Sequence, residues 1–283
     1  MRAAAASEGV ECEPEVVTIS TKGDAVPDKP FEAIGPKGVF AAELQRALLD
    51  GSIDVAVHSL KDLPSIEPDG LAFAAVCERA DARDVVVSRE GKRFDQLAAG
   101  TVIGTSSARR RALIAIHRPE LHPAPLRGNV DTRLRKVADG EVDAAVLAGA
   151  GLIRLGLEEQ ISDWLDPVRF VPAPGQGALL VEARADRLDG DLWWTRGADH
   201  PASRAATDAE RTFMRLVEGG CEAPLGAWAR LENDKIVCDA FLSTPDGARY
   251  MVDRVAGKDP VAVGTELAER MLRAGARELT ART

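Results

Sequence analysis

The spacing of apolar and polar residues predicts alternating helices and strands over the first two thirds of the chain. Apolar residues at helical spacing indicate a helix over Val39–Leu49, and short apolar runs bounded by turn residues indicate strands. One face of that helix holds Phe40, Leu44, Ala47 and Leu48. The other predicted elements are a strand Glu15–Ser20, a strand Thr101–Ile103, a helix that Ser106 or Ser107 caps and Pro119 ends, and a strand Leu179–Glu182.

An internal repeat indicates two units of similar build. Residues 46–57 are RALLDGSIDVAV, and residues 135–146 are RKVADGEVDAAV. In both segments a helix is predicted to end at Asp-Gly, since Gly51 and Gly140 suit a position with positive φ. The runs Ile53–Val57 and Val142–Leu147 that follow suit buried strands of a mostly parallel sheet. A chance match between two ordinary helix–glycine–strand units is the alternative.

The last third of the chain has a different pattern. An amphipathic helix is predicted over Ala202–Glu218, where two glycines end it. Three predicted strands follow with short turns between them, and a last helix covers Pro260–Leu279. The strands are Leu225–Leu231, Lys235–Ser243 and Ala248–Val255. This order predicts a small antiparallel sheet with helices, which is an α+β domain.

Length and pattern together predict three domains in a chain of 283 residues. Domain 1 is predicted at residues 1–80 and 177–197, domain 2 at 81–176 and domain 3 at 198–283. The predicted fold class is α/β for the first two domains, with an α+β third domain that holds a three-stranded antiparallel sheet. The stretch VPAPGQGA at residues 171–178 is interpreted as a crossover that returns the chain to domain 1.

The charge is unevenly distributed in this acidic chain. The net charge of −9 argues against general binding of nucleic acid. Residues 101–136 nevertheless hold eight cationic side chains and only two acidic ones. A solvated basic face and a cleft for an anionic small molecule are both compatible with this cluster. Its members are Arg109, Arg110, Arg111, Arg118, Arg127, Arg133, Arg135 and Lys136.

Several classes of protein are disfavoured by composition. No apolar run approaches the ~18 residues that a membrane span needs, and the start lacks the apolar core of a secretory signal, so we expect a cytoplasmic protein. The four histidines have no ligand spacing, and no nucleotide-type glycine loop occurs, so we expect no metal and no nucleotide. The four cysteines, which form no CxxC pair, are Cys12, Cys77, Cys221 and Cys238.

Polar motifs follow the predicted strands. VHSLKDLP at residues 57–64 carries Ser59, Lys61 and Asp62 out of the carboxyl end of a strand, where ligands bind in open α/β sheets. A plain surface ion pair is the alternative for Lys61 and Asp62. GTSSARRR at 104–111 combines hydroxyls with a helix start, which suits an anion. LRGNVDTRLRK at 126–136 and AGAGLIRLG at 148–156 add further arginines.

A glycine-bounded loop carries one of the cysteines. GGCEAPLGAWA at residues 219–229 places Cys221 between a helix and a strand, which favours an accessible thiol over a buried one. The other three cysteines lie in apolar runs and are interpreted as small buried hydrophobes.

In order and spacing, these motifs resemble those of the porphobilinogen deaminase family. APGQGAL at 173–179, KGVF at 37–40 and TKGD at 21–24 extend the match, which runs from about residue 15 to the C-terminus. The resemblance implies two lobes like those of periplasmic binding proteins, with the active site between them, and a third domain that carries a dipyrromethane cofactor in thioether linkage to Cys221. It implies a monomer that condenses four porphobilinogen molecules head to tail into hydroxymethylbilane and releases ammonia.

The same resemblance assigns roles to individual residues. Asp62 is implied to be the catalytic carboxylate, and each pyrrole carries an acetate and a propionate that guanidinium groups bind well. Besides Asp62 and Cys221, the implied cofactor ligands are Ser59, Lys61, Thr105, Ser107, Arg109, Arg110 and Arg133. The implied substrate ligands are Lys37, Ser106, Arg127, Asn129 and Arg154.

The first residues depart from the family pattern. The family opens with a strand and a loop of the type GTRxSxLA, which nothing here matches, and MRAAAASEG resembles the end of the helix that follows, with Gly9 as its stop. From this departure we expect a chain begun at Met1 to be poorly stable and essentially inactive. Two alternatives to the enzyme are a non-catalytic two-lobed anion-binding protein, which leaves Asp62 and Cys221 unexplained, and an inactive paralogue.

Overall fold

The computed structural model describes residues 1–19, 39–218 and 224–280. Its helices are α1 (Arg2–Ser7), α2 (Val39–Leu49), α3 (Ala108–His117), α4 (Val130–Ala138), α5 (Gly149–Leu155), α6 (Pro201–Glu218), α7 (Pro260–Arg273) and α8 (Ala276–Thr280). Its strands are β1 (Val55–Ser59), β2 (Leu71–Val76), β3 (Asp84–Ser88), β4 (Val102–Gly104), β5 (His122–Ala124), β6 (Ala144–Ala148), β7 (Asp163–Trp164), β8 (Leu179–Arg184), β9 (Leu225–Glu232), β10 (Lys235–Ser243) and β11 (Tyr250–Gly257). None of the helices in the described ranges is long and apolar enough to cross a membrane.

The chain forms two compact units. The first comprises Met1–Arg79 and Ala178–Ala205, and the second comprises Ala80–Gly177 and Ala206–Thr283. The predicted return of the chain after the proline- and glycine-rich stretch therefore occurs at Ala178.

A three-stranded sheet in the order β1-β8-β2 forms the centre of the first unit. Strand β8 lies between the other two and is antiparallel to both. Helix α2 covers one face, where Leu48 packs with Ala56 and Leu71. A second apolar cluster joins Leu60 and Leu63 to the sheet, so the segment that follows β1 is anchored in the core.

The second unit contains a five-stranded sheet in the order β5-β4-β6-β3-β7. Strand β4 is parallel to β5 and to β6, whereas β3 is antiparallel to its neighbours β6 and β7. Apolar clusters cover both faces, one around Leu113 and Ile114 of α3 and the other around Val137 of α4 and Leu152 of α5. The carboxyl ends of β4, β5 and β6 therefore meet at one edge of the sheet.

The same unit contains a three-stranded antiparallel sheet in the order β11-β10-β9. Helix α7 packs on this sheet through Val263 and Leu267, which are buried. The predicted fold class, α/β with a C-terminal three-stranded antiparallel sheet, is confirmed.

The internal repeat is confirmed as two helix–turn–strand units. Helix α2 leads through Gly51 (φ +76°) to β1, and α4 leads through Gly140 (φ +78°) to β6. Each observed strand begins two residues later than predicted. The expectation of a mostly parallel sheet is wrong for the first unit, because the returning strand β8 inserts beside β1 with opposite direction. The five-stranded sheet of the second unit is mixed, with two parallel and two antiparallel pairings.

Two other predicted elements differ from the structure. Residues 15–19 of the predicted strand Glu15–Ser20 form no strand, and Val16 and Val17 are exposed; β-branched residues without a neighbouring strand do not make a sheet. Ser20 lies outside the described residues. The predicted helix Pro260–Leu279 is two helices, because Gly275 adopts φ +98° between α7 and α8.

Candidate active site

Asp62 lies on a short turn directly after β1. The 3-10 turn Leu60–Asp62 follows the last strand residue, Ser59, and Leu60 and Leu63 on either side are 1% and 3% exposed. The backbone N–H of Leu60 donates to the carbonyl of Ala178 at 3.1 Å, which fixes the turn to β8. The carboxylate of Asp62 is exposed on this anchored backbone, so it is presented to solvent from a rigid position.

Three hydroxyl residues connect β4 to α3 in the second unit. Thr105 is buried, and Oγ of Ser107 caps α3 by accepting the backbone N–H of Arg110 at 3.4 Å. Oγ of Ser106 donates to the carbonyl of Leu126 at 2.9 Å and accepts the N–H of the same residue at 3.2 Å. The loops that leave β4 and β5 are therefore joined to each other.

Arg109 and Arg110 share one buried carboxylate, that of Asp84. Nη1 of Arg109 donates to Oδ2 at 2.8 Å, and Nη2 of Arg110 donates to Oδ1 at 2.7 Å. The side-chain amide of Gln176 donates to the same Oδ1 at 2.8 Å. Asp84 has no exposed surface, and the two arginines are 5% and 6% exposed. Both guanidinium groups are thus held inside the protein.

The electrostatics of this cluster leave an excess of positive charge. Burial raises the pKa of the Asp84 carboxyl, but the charges and hydrogen bonds of Arg109 and Arg110 outweigh burial and hold that pKa well below its usual range. One carboxylate then balances only one of two guanidinium groups. In addition, Nε of Arg109 has no hydrogen-bond partner among the described residues. A buried cationic donor without a partner suits an anionic ligand.

The remaining predicted arginines lie on the segments that follow β5 and β6. Arg127 and Arg133 flank the start of α4, and Nε of Arg133 donates to the carbonyl of Gly128 at 2.8 Å. Asn129 caps α4, because its side-chain oxygen accepts the N–H of Thr132 at 2.9 Å. The guanidinium of Arg154, on α5 after β6, is exposed and donates to the carbonyl of Gly177 at 2.6 Å.

The structure divides the predicted site residues between the two units. Ser59, Lys61 and Asp62 belong to the first unit, after β1. The second unit brings together at the ends of β4, β5 and β6 the residues Thr105, Ser106, Ser107, Arg109, Arg110, Arg127, Asn129, Arg133 and Arg154. Lys37 and Cys221 lie outside the described residues.

Two residues of the cluster were not predicted from the sequence, namely Asp84 and Gln176. A single acidic residue directly before three valines, as in DVVVS, is a usable signal, because an acid at the start of a buried strand needs a buried partner. Gln176, in the crossover, has no comparable local signal.

In the second unit, the arginine-rich sheet edge gathers guanidinium and hydroxyl groups that suit a small molecule with carboxylate groups. The family model "Porphobilinogen deaminase, dipyromethane cofactor binding domain" matches residues 1–190, and the model of the C-terminal domain matches residues 205–273. Porphobilinogen deaminase of Chromobacterium violaceum is 46% identical over 269 residues, which cover 94% of this chain and 87% of the relative. The enzyme of Desulforudis audaxviator is 47% identical over 266 residues, which cover 93% and 86%.

The chain belongs to the porphobilinogen deaminase family. It is accordingly a transferase that condenses porphobilinogen into hydroxymethylbilane in tetrapyrrole biosynthesis and uses a dipyrromethane cofactor.

Solved structures similar to the chain include periplasmic proteins. The BvgS VFT2 domain of Bordetella pertussis gives a TM-score of 0.40 at 15% identity and covers 70% of this chain and 74% of that domain. An arginine-specific periplasmic binding protein of Salmonella typhimurium gives 0.37 at 14% identity and covers 70% and 77%.

Proposed function

We propose that Asp62 is the catalytic carboxylate of this transferase. The observation that carries the proposal is the exposed carboxylate on a turn that two buried leucines and a backbone hydrogen bond to β8 hold in place. Loss of ammonia from porphobilinogen leaves a cationic methylene pyrrolenine. A fixed carboxylate lowers the energy of that cation without having to reorganise during the reaction. Asp62 also accepts a hydrogen bond from the pyrrole N–H, and it transfers to the departing amine the proton that the amine needs to leave as ammonia.

The residues of the second unit fit a dipyrromethane with carboxylate side chains. Arg109 offers a buried Nε donor without a partner among the described residues, and the exposed guanidinium of Arg154 lies at the same sheet edge. Thr105, Ser106 and Ser107 add hydroxyl groups beside the start of α3. When bound, the dipyrromethane supplies the pyrrole carbon from which the product chain is extended. We assign its covalent attachment to Cys221, on the family motif GGC.

This assignment divides the arginines into two groups. Arg109 and Arg110 already bind Asp84 and the carbonyls of Val171 and Val146, so they form a fixed, buried positive charge at the start of α3. Arg127 lies in the loop before α4, Arg133 lies on α4 and Arg154 lies on α5; these three bind the carboxylates of substrate and cofactor. Ser59, Lys61, Lys37 and Asn129 complete the proposed set.

Changing Asp62 to asparagine tests the catalytic role. The amide keeps the shape of the side chain but removes the charge, so we expect turnover to fall about 100-fold or more. Turnover is measured by the release of hydroxymethylbilane, and cofactor content by the mass of the denatured protein. The matched control is Asp69→Asn, also exposed in the first unit, which should keep turnover within about twofold. Near-normal turnover in Asp62→Asn excludes this role.

Replacing Arg127 or Arg133 by leucine tests the carboxylate-binding role. Each change removes a charge-assisted partner worth about 1.5–3 kcal/mol, so we expect cofactor assembly or elongation to weaken roughly 10- to 100-fold. The control is Arg135→Leu, which is exposed on the same helix α4. Enzyme-bound intermediates are counted by mass spectrometry and melting is measured in parallel. Parental kinetics in both Arg127→Leu and Arg133→Leu would mean that the cationic segment is only a solvated face.

Further proposals concern organisation and location. We propose a division into three domains, at residues 1–80 with 177–197, 81–176 and 198–283, in which the two sheets of the second unit belong to separate domains. We also propose that the protein acts as a monomer in the cytoplasm. The three cysteines within the described residues form no disulfide, which suits a reducing compartment. Light scattering on the purified protein and fractionation of cells test the last two proposals.

A further inference from the structure

A buried contact between a histidine and a glutamate lies on the strand that carries the catalytic turn. Nε2 of His58 is 2.9 Å from Oε2 of Glu182, and the two side chains are 6% and 0% exposed. His58 is the fourth residue before Asp62 and belongs to β1, whereas Glu182 belongs to β8. Oε1 of Glu182 accepts the side-chain amide of Gln45, on helix α2, at 3.1 Å. The three polar side chains therefore connect two strands and the helix that covers them.

The surroundings of this pair are apolar. Ala56 and Leu180, which share its face of the two strands, are 4% exposed or less. Although Nε2 of His58 and Oε2 of Glu182 are close, the contact does not have the geometry of a hydrogen bond, and neither atom has another partner among the described residues. Burying a carboxylate in such a place costs free energy that one imperfect contact does not fully recover. Well-packed apolar residues would hold the same position at least as stably, so stability does not explain the pair.

The position of the pair suggests a different role. After His58, the chain makes its last strand pairing at Ser59 and then enters the turn Leu60–Asp62. An apolar side chain at residue 58 would make no polar contact with β8, whereas the imidazole of His58 lies 2.9 Å from the Glu182 carboxylate, which Gln45 holds by a hydrogen bond. A displacement of about 1 Å in a catalytic group is enough to cost a large fraction of the rate.

We propose that His58 and Glu182 are positioning residues for the reaction: they fix the end of β1 and thereby the direction of the Asp62 carboxylate. Gln45 holds Glu182 in place from the covering helix. This inference rests on the proposed role of Asp62. The contacts among His58, Glu182 and Gln45 exist whether or not Asp62 has that role.

The decisive variant replaces both charged residues by apolar ones of similar volume, His58→Leu with Glu182→Met. We expect its melting temperature to equal or exceed that of the parent, since no buried charge remains. We expect kcat to fall about tenfold or more with KM changed by less than about threefold, because substrate binding is retained while the reacting carboxylate is misplaced. His58→Gln, which keeps a donor towards Glu182, should recover most of kcat.

Hydrogen exchange gives a second measurement that is independent of turnover. The amide of Leu60 donates to Ala178, and that of Leu63 donates to Leu60 at 3.2 Å. Both amides should exchange faster, by about tenfold, in the double variant. The matched control is Val181→Ala, which leaves a cavity beside the same strand and should lower the melting temperature without changing kcat or these two rates.

The possible outcomes separate this inference from the proposed function. Normal kcat in the double variant overturns the inference, whatever the exchange rates are. The inference is also overturned if Val181→Ala loses as much kcat as the double variant does when the two have lost the same amount of stability. If the double variant unfolds, the comparison is made between His58→Gln and His58→Leu, and equal kcat in the two overturns it. Normal turnover in Asp62→Asn, measured alongside, would instead remove the proposed function.

Discussion

A Cys221→Ser variant is expected to carry no covalently bound pyrrole at all. Forming a thioether requires a sulfur nucleophile, and a serine hydroxyl is a far poorer one at neutral pH. The denatured variant should therefore have the mass of the bare polypeptide, and an acidic aldehyde reagent should give no colour with it. Turnover should be lost as well, because the product chain then has no starting point on the enzyme.

Cysteine variants elsewhere in the chain provide the control for that experiment. Cys12→Ser and Cys77→Ser change half-buried side chains and should keep the full adduct mass. Cys238→Ser changes a fully buried side chain on β10, so lower stability is expected there with the adduct intact. An adduct that persists in Cys221→Ser, or that maps to another cysteine, contradicts the assignment.

Changing Asp84 to asparagine is expected to have the largest effect on stability. The change leaves two buried guanidinium groups without a carboxylate, and breaking a buried ion pair in this way costs about 3–5 kcal/mol. Against a total stability of about 5–15 kcal/mol, this loss unfolds a sizeable fraction of the protein at mild denaturant. Chemical unfolding at neutral pH measures the effect. Glu141→Gln, which removes an exposed partner of Lys136, should change stability by less than about 0.5 kcal/mol.

The pH dependence of unfolding gives the sign of the Asp84 contribution. The pKa of Asp84 lies below its usual range in the folded protein, so the carboxylate stabilises the fold at any pH above the unfolded pKa of about 3.9. That stabilisation is lost progressively as the pH falls below the unfolded pKa towards the folded pKa. The difference between parent and Asp84→Asn should therefore be full at pH 7 and shrink in acid. A difference that is constant with pH would mean that the charge of Asp84 is not what stabilises the cluster.

Local signals account for what could be predicted from the sequence. Asp-Gly after an apolar helix predicted where the helix ends in both copies of the repeat, and a serine before ARRR predicted the cap of α3. Both features depend on only a few consecutive residues. The apolar run before VHSLKDLP also predicted that Ser59, Lys61 and Asp62 lie at the carboxyl end of a strand.

Partners that are distant in sequence explain what could not be predicted. The pairing of Arg110 with Asp84, 26 residues away, and of Glu182 with Gln45, 137 residues away, leaves no periodic trace. The same holds for β8, whose direction beside β1 depends on where the crossover returns the chain. The basic segment thus left a solvated face and an anion site both open, and it did not predict that Arg109 and Arg110 are buried and already bound to a carboxylate.

The central position of β8 has a consequence for how the chain folds as it is synthesised. In the described part of the first sheet, β1 and β2 pair only with β8, which begins more than a hundred residues after β2 ends. All five strands around β4 are made before β8 leaves the ribosome. The segment translated first therefore completes its sheet after the one translated second. During that interval the edges of β1 and β2 that β8 will cover stay unpaired. A chaperone can bind these edges, and another nascent chain can pair with them.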